Sequence, residues 1–349
     1  MAFFAAIAPV IAGCSRDRPQ AQAQAQAAPP PQLPAVEFVG AWGVRGDLPG
    51  QLDRPVGPAV DAAGRIYLAD RGTGFVQKFE AGGTALLSFE DSAARSAVAI
   101  AVDSGGGIYL DDARTGEIRI FFPEGDLIRV LHAAPQRGFD GPYGFSIGAD
   151  GRLFVPDPNG GEIQVLSSHG QLLKLWKVEA GTGTAGKQSR PVCAVATPDG
   201  FVYVLDDGAS PAGRIVKFSS EGAQVAAWES DAAAGPLLAL AVSPKYVFAL
   251  HAASPRLQVW TLDGQPRLSD DLGGRLAAAP PTGPSTITST TLSSAASGAS
   301  GAPGTAPRQA ASLAISPRGE LVVLVPEGVP DGNTAGPRVL RFRIHLDSP

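Results

Sequence analysis

The chain has 349 residues, with 28 Lys and Arg against 33 Asp and Glu, a mild net charge of −5. No basic run gives it the electrostatic footprint of a nucleic-acid binder, so nucleic acid is not expected as a partner. Plentiful Gly and Pro, with aromatics recurring at fixed places, fit one array of short strands joined by many turns.

Residues 3 to 12, FFAAIAPVIA, form an apolar run of signal-peptide core length, well short of the roughly 18 to 20 residues that span a bilayer. The run ends at Ile11-Ala12-Gly13-Cys14, which resembles the bacterial lipobox, a branched residue and two small ones ahead of a cysteine that becomes lipidated. That resemblance implies a lipoprotein signal peptide over 1–13, lipidation at Cys14, and a place in the bacterial cell envelope, periplasmic or outer surface, with the lipid anchor as membrane contact. No Lys or Arg precedes Phe3, where a signal peptide carries its basic start. Residues 14–35 continue as a Gln, Ala and Pro-rich segment with too little apolar bulk to offset chain entropy, and read as a disordered tether. With Cys14 lipidated, Cys193 is the sole thiol and no disulfide framework forms.

From residue 36 onward the chain repeats. The clearest unit, Arg54 to Gly83, is a short apolar run, a Gly turn, an Ile-Tyr-Leu strand ending in Asp70, and a Val-x-x-Phe strand ending in Gly. Aligned on the first turn, the units place Gly64, Gly106, Gly151, Gly200, Tyr246 and Gly319 in one slot, at intervals of 42, 45, 49, 46 and 73. The last interval is long because 274–309 is a Gly, Ala, Ser, Thr and Pro stretch that reads as a disordered insertion. Repeats of this length, each holding several short strands, predict a six-bladed β-propeller of four-stranded antiparallel blades, since one such unit cannot bury both faces alone.

The middle of the second strand carries Tyr67, Tyr109, Phe154, Tyr203, Phe248 and Val322, a predicted ring of large side chains between blades. Fourth strands are expected to bury Leu86 with Phe89, Ile128 with Leu131, Leu173 with Trp176, and Val225 with Trp228; the fifth unit is degenerate there, QPRLSDDL, and the sixth has none. Residues 36 to 43, VEFVGAWG, have no unit of their own, and Val39 and Trp42 share the spacing of Val225 and Trp228. They are predicted to complete the last blade and so remove an open sheet edge. Pro-x-Gly-x-Ala-Val-Asp at 55 to 61, the strand ending in Asp70 and the Val-Gln-Lys-Phe strand resemble the NHL repeat, and the similarity covers residues 36 to 346. The resemblance implies a propeller over 36–349.

First strands should line the channel, and their slots hold Gly57, Ala99, Gly144, Cys193, Ala239 and Ser312, then Ala59, Ala101, Ser146, Val195, Ala241 and Ala314. Neither set offers a carboxylate or imidazole, which argues against a hydrolase or lyase and leaves no catalytic residue to name. Gly144 to Gly148 matches G-x-S-x-G without the strand-to-helix elbow that exposes a nucleophile, and Gly181 to Lys187 resembles a phosphate loop with Gln188 where Ser or Thr belongs. The histidines, His132, His169, His251 and His345, fall in different parts of different units and have no zinc spacing.

Asp70, Asp112, Asp157 and Asp206 end the second strand in four units, where they either hold calcium at the channel mouth or fix the following turn. They share a rim with Arg54, Arg71, Arg114, Arg190 and Asp140, and the long connections open on that rim. The reading is a monomeric, envelope-anchored, non-catalytic binding or scaffolding module that meets a protein or other envelope ligand through this face and needs no cofactor. The alternative is a metal-dependent propeller enzyme of lactonase or lyase type.

Overall fold

The computed structural model describes residues 35–132, 144–180, 188–208, 212–251, 256–272, 312–325 and 336–346. Cys14, the 1–34 leader and tether, Asp140, the Gly181 to Lys187 motif and the 274–309 insertion lie outside them.

Each blade is a four-stranded antiparallel sheet, and six of them make a β-propeller with almost no helix. β1 (Val36–Trp42) stands first, and blade 1 follows as β2 (Pro55–Val60), β3 (Ile66–Asp70), β4 (Phe75–Phe79) and β5 (Ala85–Glu90). Blade 2 is β6 (Ile100–Val102), β7 (Ile108–Asp112), β8 (Glu117–Phe121) and β9 (Leu127–His132). Blade 3 is β10 (Ser146–Ile147), β11 (Leu153–Asp157), β12 (Glu162–Leu166) and β13 (Leu172–Lys177). Blade 4 is β14 (Pro191–Ala196), β15 (Val202–Asp206), β16 (Arg214–Phe218) and β17 (Gln224–Glu229). Blade 5 is β18 (Leu237–Val242), β19 (Tyr246–His251), β20 (Arg256–Thr261) and β21 (Pro266–Asp271). Blade 6 takes β22 (Ser312–Ile315), β23 (Glu320–Val325) and β24 (Arg338–Ile344), and β1 is its fourth strand. β1 pairs antiparallel with β24 from Val36 opposite Ile344 to Trp42 opposite Val339, with a bulge at Val39. The strand lacking a unit in the sequence thus closes the ring.

Period-2 alternation explains why the blades need one another. In β3, Tyr67 and Ala69 face blade 2, while Ile66 and Leu68 face blade 6. The core is accordingly six apolar layers, one between each pair of neighbouring blades, and the aromatic slot supplies each of the first five with Tyr67, Tyr109, Phe154, Tyr203 or Phe248. Burying such a ring stabilises by roughly 1.5–3 kcal/mol, and no isolated blade can bury both of its faces.

The outer strands differ from expectation in two respects. Leu86, Ile128, Leu173 and Val225 are exposed, by 46%, 39%, 50% and 52%, whereas Leu131 and Trp176 are buried and Phe89 and Trp228 half-buried. Residues three apart in a strand point to opposite faces, so only the second of each pair reaches the neighbouring blade. Blade 5 also has a complete fourth strand, β21, in register with β20 from Arg256 opposite Asp271 to Trp260 opposite Pro266, although its composition is polar. An edge strand needs backbone pairing on one side only, which tolerates Pro266 and the two Asp residues.

Candidate functional site: the channel and its loop-rich rim

Inner strands from all six blades line a central cavity of about 470 Å³. Its wall is built from the two small-residue slots, and their small size has a steric cause. A Cβ on Gly144 would lie 3.0 Å from Cys193 Sγ, and one on Gly57 would lie 3.0 Å from Ile100 Cγ2. Inner strands of neighbouring blades approach so closely that a larger side chain at these two glycines would meet the next blade.

The two serines on the wall are already engaged. Ser146 Oγ accepts from Ala196 N at 2.8 Å and ties blade 3 to blade 4. Ser312 Oγ donates to Gly57 O and ties blade 6 to blade 1. Neither serine has a histidine within hydrogen-bond reach, so Ser146 is not set up as a nucleophile. Cys193 borders the channel, yet desolvation pushes its thiol up to about 12, far from the reactive thiolate range.

The rim at which second strands end carries the sequence-selected aspartates. Asp70 Oδ2 accepts from Asp53 N at 2.7 Å, and its Oδ1 accepts from Arg54 N at 3.0 Å, Gly72 N at 2.9 Å and Thr73 N at 3.2 Å. Asp206 Oδ1 accepts from Arg190 N at 2.7 Å and Gly208 N at 3.1 Å. Asp112 Oδ1 accepts from Arg114 N at 3.1 Å and from the Ser96 hydroxyl, which together hold that carboxyl below its usual range against the opposing effect of burial. Asp157 Oδ1 accepts from Gly160 N at 2.8 Å. In these four blades the carboxylate is turned onto nearby backbone N–H groups, with a side-chain partner as well at Asp112 and Asp206, and among the described residues no group of three His, Cys, Asp or Glu converges. His251 takes the same slot in blade 5, where Nδ1 donates to Gly235 O at 2.7 Å.

The cationic candidates do not converge as a set. Arg54 and Arg71 are neighbours, with Arg71 N donating to Arg54 O at 3.0 Å and Arg54 leaning on Asp53 at 3.6 Å. Arg114 stands 3.8 Å from Asp112, and Arg190 pairs with Asp207 at 2.8 Å, each within its own blade. Arg71 alone among them lines the cavity, at its mouth.

Two further buried groups belong to this rim. Arg214, at the start of β16, makes a buried ion pair with Asp206 at 2.8 Å and also donates to Ser189 Oγ at 3.2 Å. The sequence marks this position, since a basic residue stands at the head of the third strand at Arg214, Arg256 and Arg338. Only the structure names its partner, and Asp111 is the group that the sequence did not mark. Asp111 is 1% exposed; Oδ1 accepts from Val98 N at 2.9 Å and Ala99 N at 2.8 Å, while Oδ2 has no partner among the described residues. Both carboxylates of the Asp111-Asp112 pair are buried, and nothing in the sequence told which would keep an oxygen without a partner.

The longer connections belong to one face. Second strands run into third strands, and fourth strands into the next blade, on the Asp70 side, whereas the other side has short turns such as 61–65 and 103–107.

No protein-family model and no curated protein matches the sequence. Solved structures do share the fold. Selenomethionine-substituted virginiamycin B lyase from Staphylococcus aureus aligns with a TM-score of 0.53 at 10% identity, over 89% of this chain and 100% of the lyase chain. A streptogramin B lyase aligns at 0.52 and 10% identity, over 88% of this chain and 98% of its own. A chain of a nidogen/laminin complex aligns at 0.50 and 15% identity, over 63% of this chain and 80% of its own. A fold shared by lyases and a complex-forming protein fixes the architecture and leaves the chemistry to the site.

Proposed function

We propose that the protein is a non-catalytic binding or scaffolding propeller of NHL type, tethered to the bacterial envelope through a lipidated Cys14 and meeting its partner through the loop-rich face. One observation supports this reading above others: the rim aspartates that would do acid, base or metal chemistry are spent on backbone N–H groups and on neighbouring side chains such as Ser96 and Arg214. Asp70 illustrates it, since four N–H donors occupy a carboxylate that has about four acceptor sites. Sequence variety is concentrated instead in connections held by a rigid scaffold, where binding residues usually sit.

Metal analysis of the purified protein tests the non-catalytic part. No stoichiometric calcium or zinc is expected, and one ion per chain would overturn it in favour of a metal-dependent enzyme. Fractionation tests the anchor: Cys14→Ala should move the protein from the membrane to the soluble fraction, and its persistence in membranes would sink the lipid attachment. Partner capture from envelope extracts should weaken with Arg54→Glu and Arg114→Glu and be unaffected by changes in the 61–65 turn.

A further inference from the structure

The cavity at the propeller axis has one polar group for which the protein supplies no use. Arg71 follows the last residue of β3 and lines the loop-rich mouth. Its Nε is buried without a hydrogen-bond partner, and among the described residues its guanidinium has no ion pair. The adjacent carboxylates are committed elsewhere. Asp70 is filled by backbone N–H groups, and Asp53 lies 3.6 Å from Arg54. Arg71 as a whole is half-buried, but a buried Nε–H donor with no acceptor is unfavourable, and an arriving anion relieves that cost.

Beyond Arg71 the lining side chains are mostly small and apolar, and the open edges of the inner strands add backbone polar atoms between them. Val56, Ala99, Ala101, Leu240 and Ala314 are among these side chains, and the hydroxyls of Ser146 and Ser312 are used between blades. The volume of about 470 Å³ lies within the range of small-molecule sites, which combine apolar walls with a few placed polar groups. Strands enclose this cavity on every side, so a flexible hydrocarbon chain can enter along the axis and a folded polypeptide cannot. A guanidinium fork suits a carboxylate through paired N–H donors.

The geometry points to a ligand site in the channel for a small amphipathic carboxylate of fatty-acid type, with its head group on Arg71 and its chain along the small-residue wall. The site uses the cavity rather than the outer loops, so its failure would leave the partner-binding reading intact, and the reverse also holds.

Calorimetric titration of the purified full chain with sodium decanoate tests the assignment, with decan-1-ol and sodium acetate as controls. Saturable one-to-one binding of decanoate is expected, with decanol and acetate each at least tenfold weaker. Arg71→Gln should weaken decanoate at least tenfold and leave decanol unchanged. Ala101→Phe, which fills the channel, should abolish both. If that variant does not fold, as judged by its circular dichroism and melting temperature, Ala314→Leu on a different blade takes its place. Absence of saturable decanoate binding, equal affinity in Arg71→Gln, or equal affinity in the filled channel would overturn the site. Acetate binding as tightly as decanoate would reduce it to a bare anion contact and overturn the role of the channel.

Discussion

Trp42, on the N-terminal strand of the last blade, lies directly over Gly83, in the outer hairpin of the first. A Cβ on Gly83 would fall 2.5 Å from the indole ring, and Trp42 Nε1 donates to Ala81 O at 3.1 Å beside it. Phe79 backs the ring at a centroid distance of 4.7 Å. The same clasp recurs around the propeller, with Phe89 over Gly125, Leu131 over Gly170, Trp176 over Gly222 and Trp228 over Gly264. Each hairpin glycine has positive φ and no side chain, and each lets the preceding blade's outer strand close onto it.

The first prediction follows from that contact. Trp42→Ala should destabilise the propeller by about 3–5 kcal/mol, the usual cost of deleting a packed aromatic. Gly83→Ala should cost about 1–3 kcal/mol through overpacking and backbone strain. Deleting residues 36 to 43 should lower the melting temperature more than either substitution. An unchanged melting temperature in the deletion would refute closure by β1.

A second prediction concerns the buried Arg214 and Asp206 pair. Removing one partner leaves a charge without compensation, so Arg214→Met or Asp206→Ala alone should cost about 3–5 kcal/mol in urea denaturation. The Asp206 variant should be the worse of the two, because Arg190 N and Gly208 N lose their acceptor as well. The double variant should lose clearly less than the sum of the singles. Strict additivity would show that the two charges are not coupled.

Asp111 gives a pH dependence with a definite sign. Burial raises its carboxyl to about 7, Asp112 pushes the same way, and the N–H groups of Ala99 and Val98 pull against them. A carboxyl bound more tightly to its proton in the folded state stabilises most below its unfolded value near 4, and that contribution is lost as pH rises from about 4 to about 7. Asp111→Asn keeps an oxygen for Val98 and Ala99 and cannot ionise. Its melting temperature should match the wild type near pH 4.5 and exceed it near pH 8, by the equivalent of a few kcal/mol. Parallel pH profiles for the two proteins would exclude this role.

The architecture was legible because its determinants are local and repeated. A turn glycine and an aromatic slot in five of six units, and a terminal aspartate in four, are visible without any knowledge of which units touch, and the spacing of Val39 and Trp42 was enough to assign β1 to the last blade. The same text misled where strand geometry overrides spacing: Leu86 and Val225 look like partners of Phe89 and Trp228, but a period of two sends them outward.

What the sequence by itself determined, then, is the repeat: six units, their order, and a channel wall without acid or base groups. Tertiary structure decided which polar groups have anything left to offer. Asp70 and Arg71 are adjacent in the chain and equally polar on paper, yet the carboxylate is consumed by four backbone N–H groups while the buried guanidinium Nε–H has no acceptor to meet it. Hydrogen-bond satisfaction depends on which backbone atoms closing strands bring within about 3 Å, and no one-dimensional spacing encodes that.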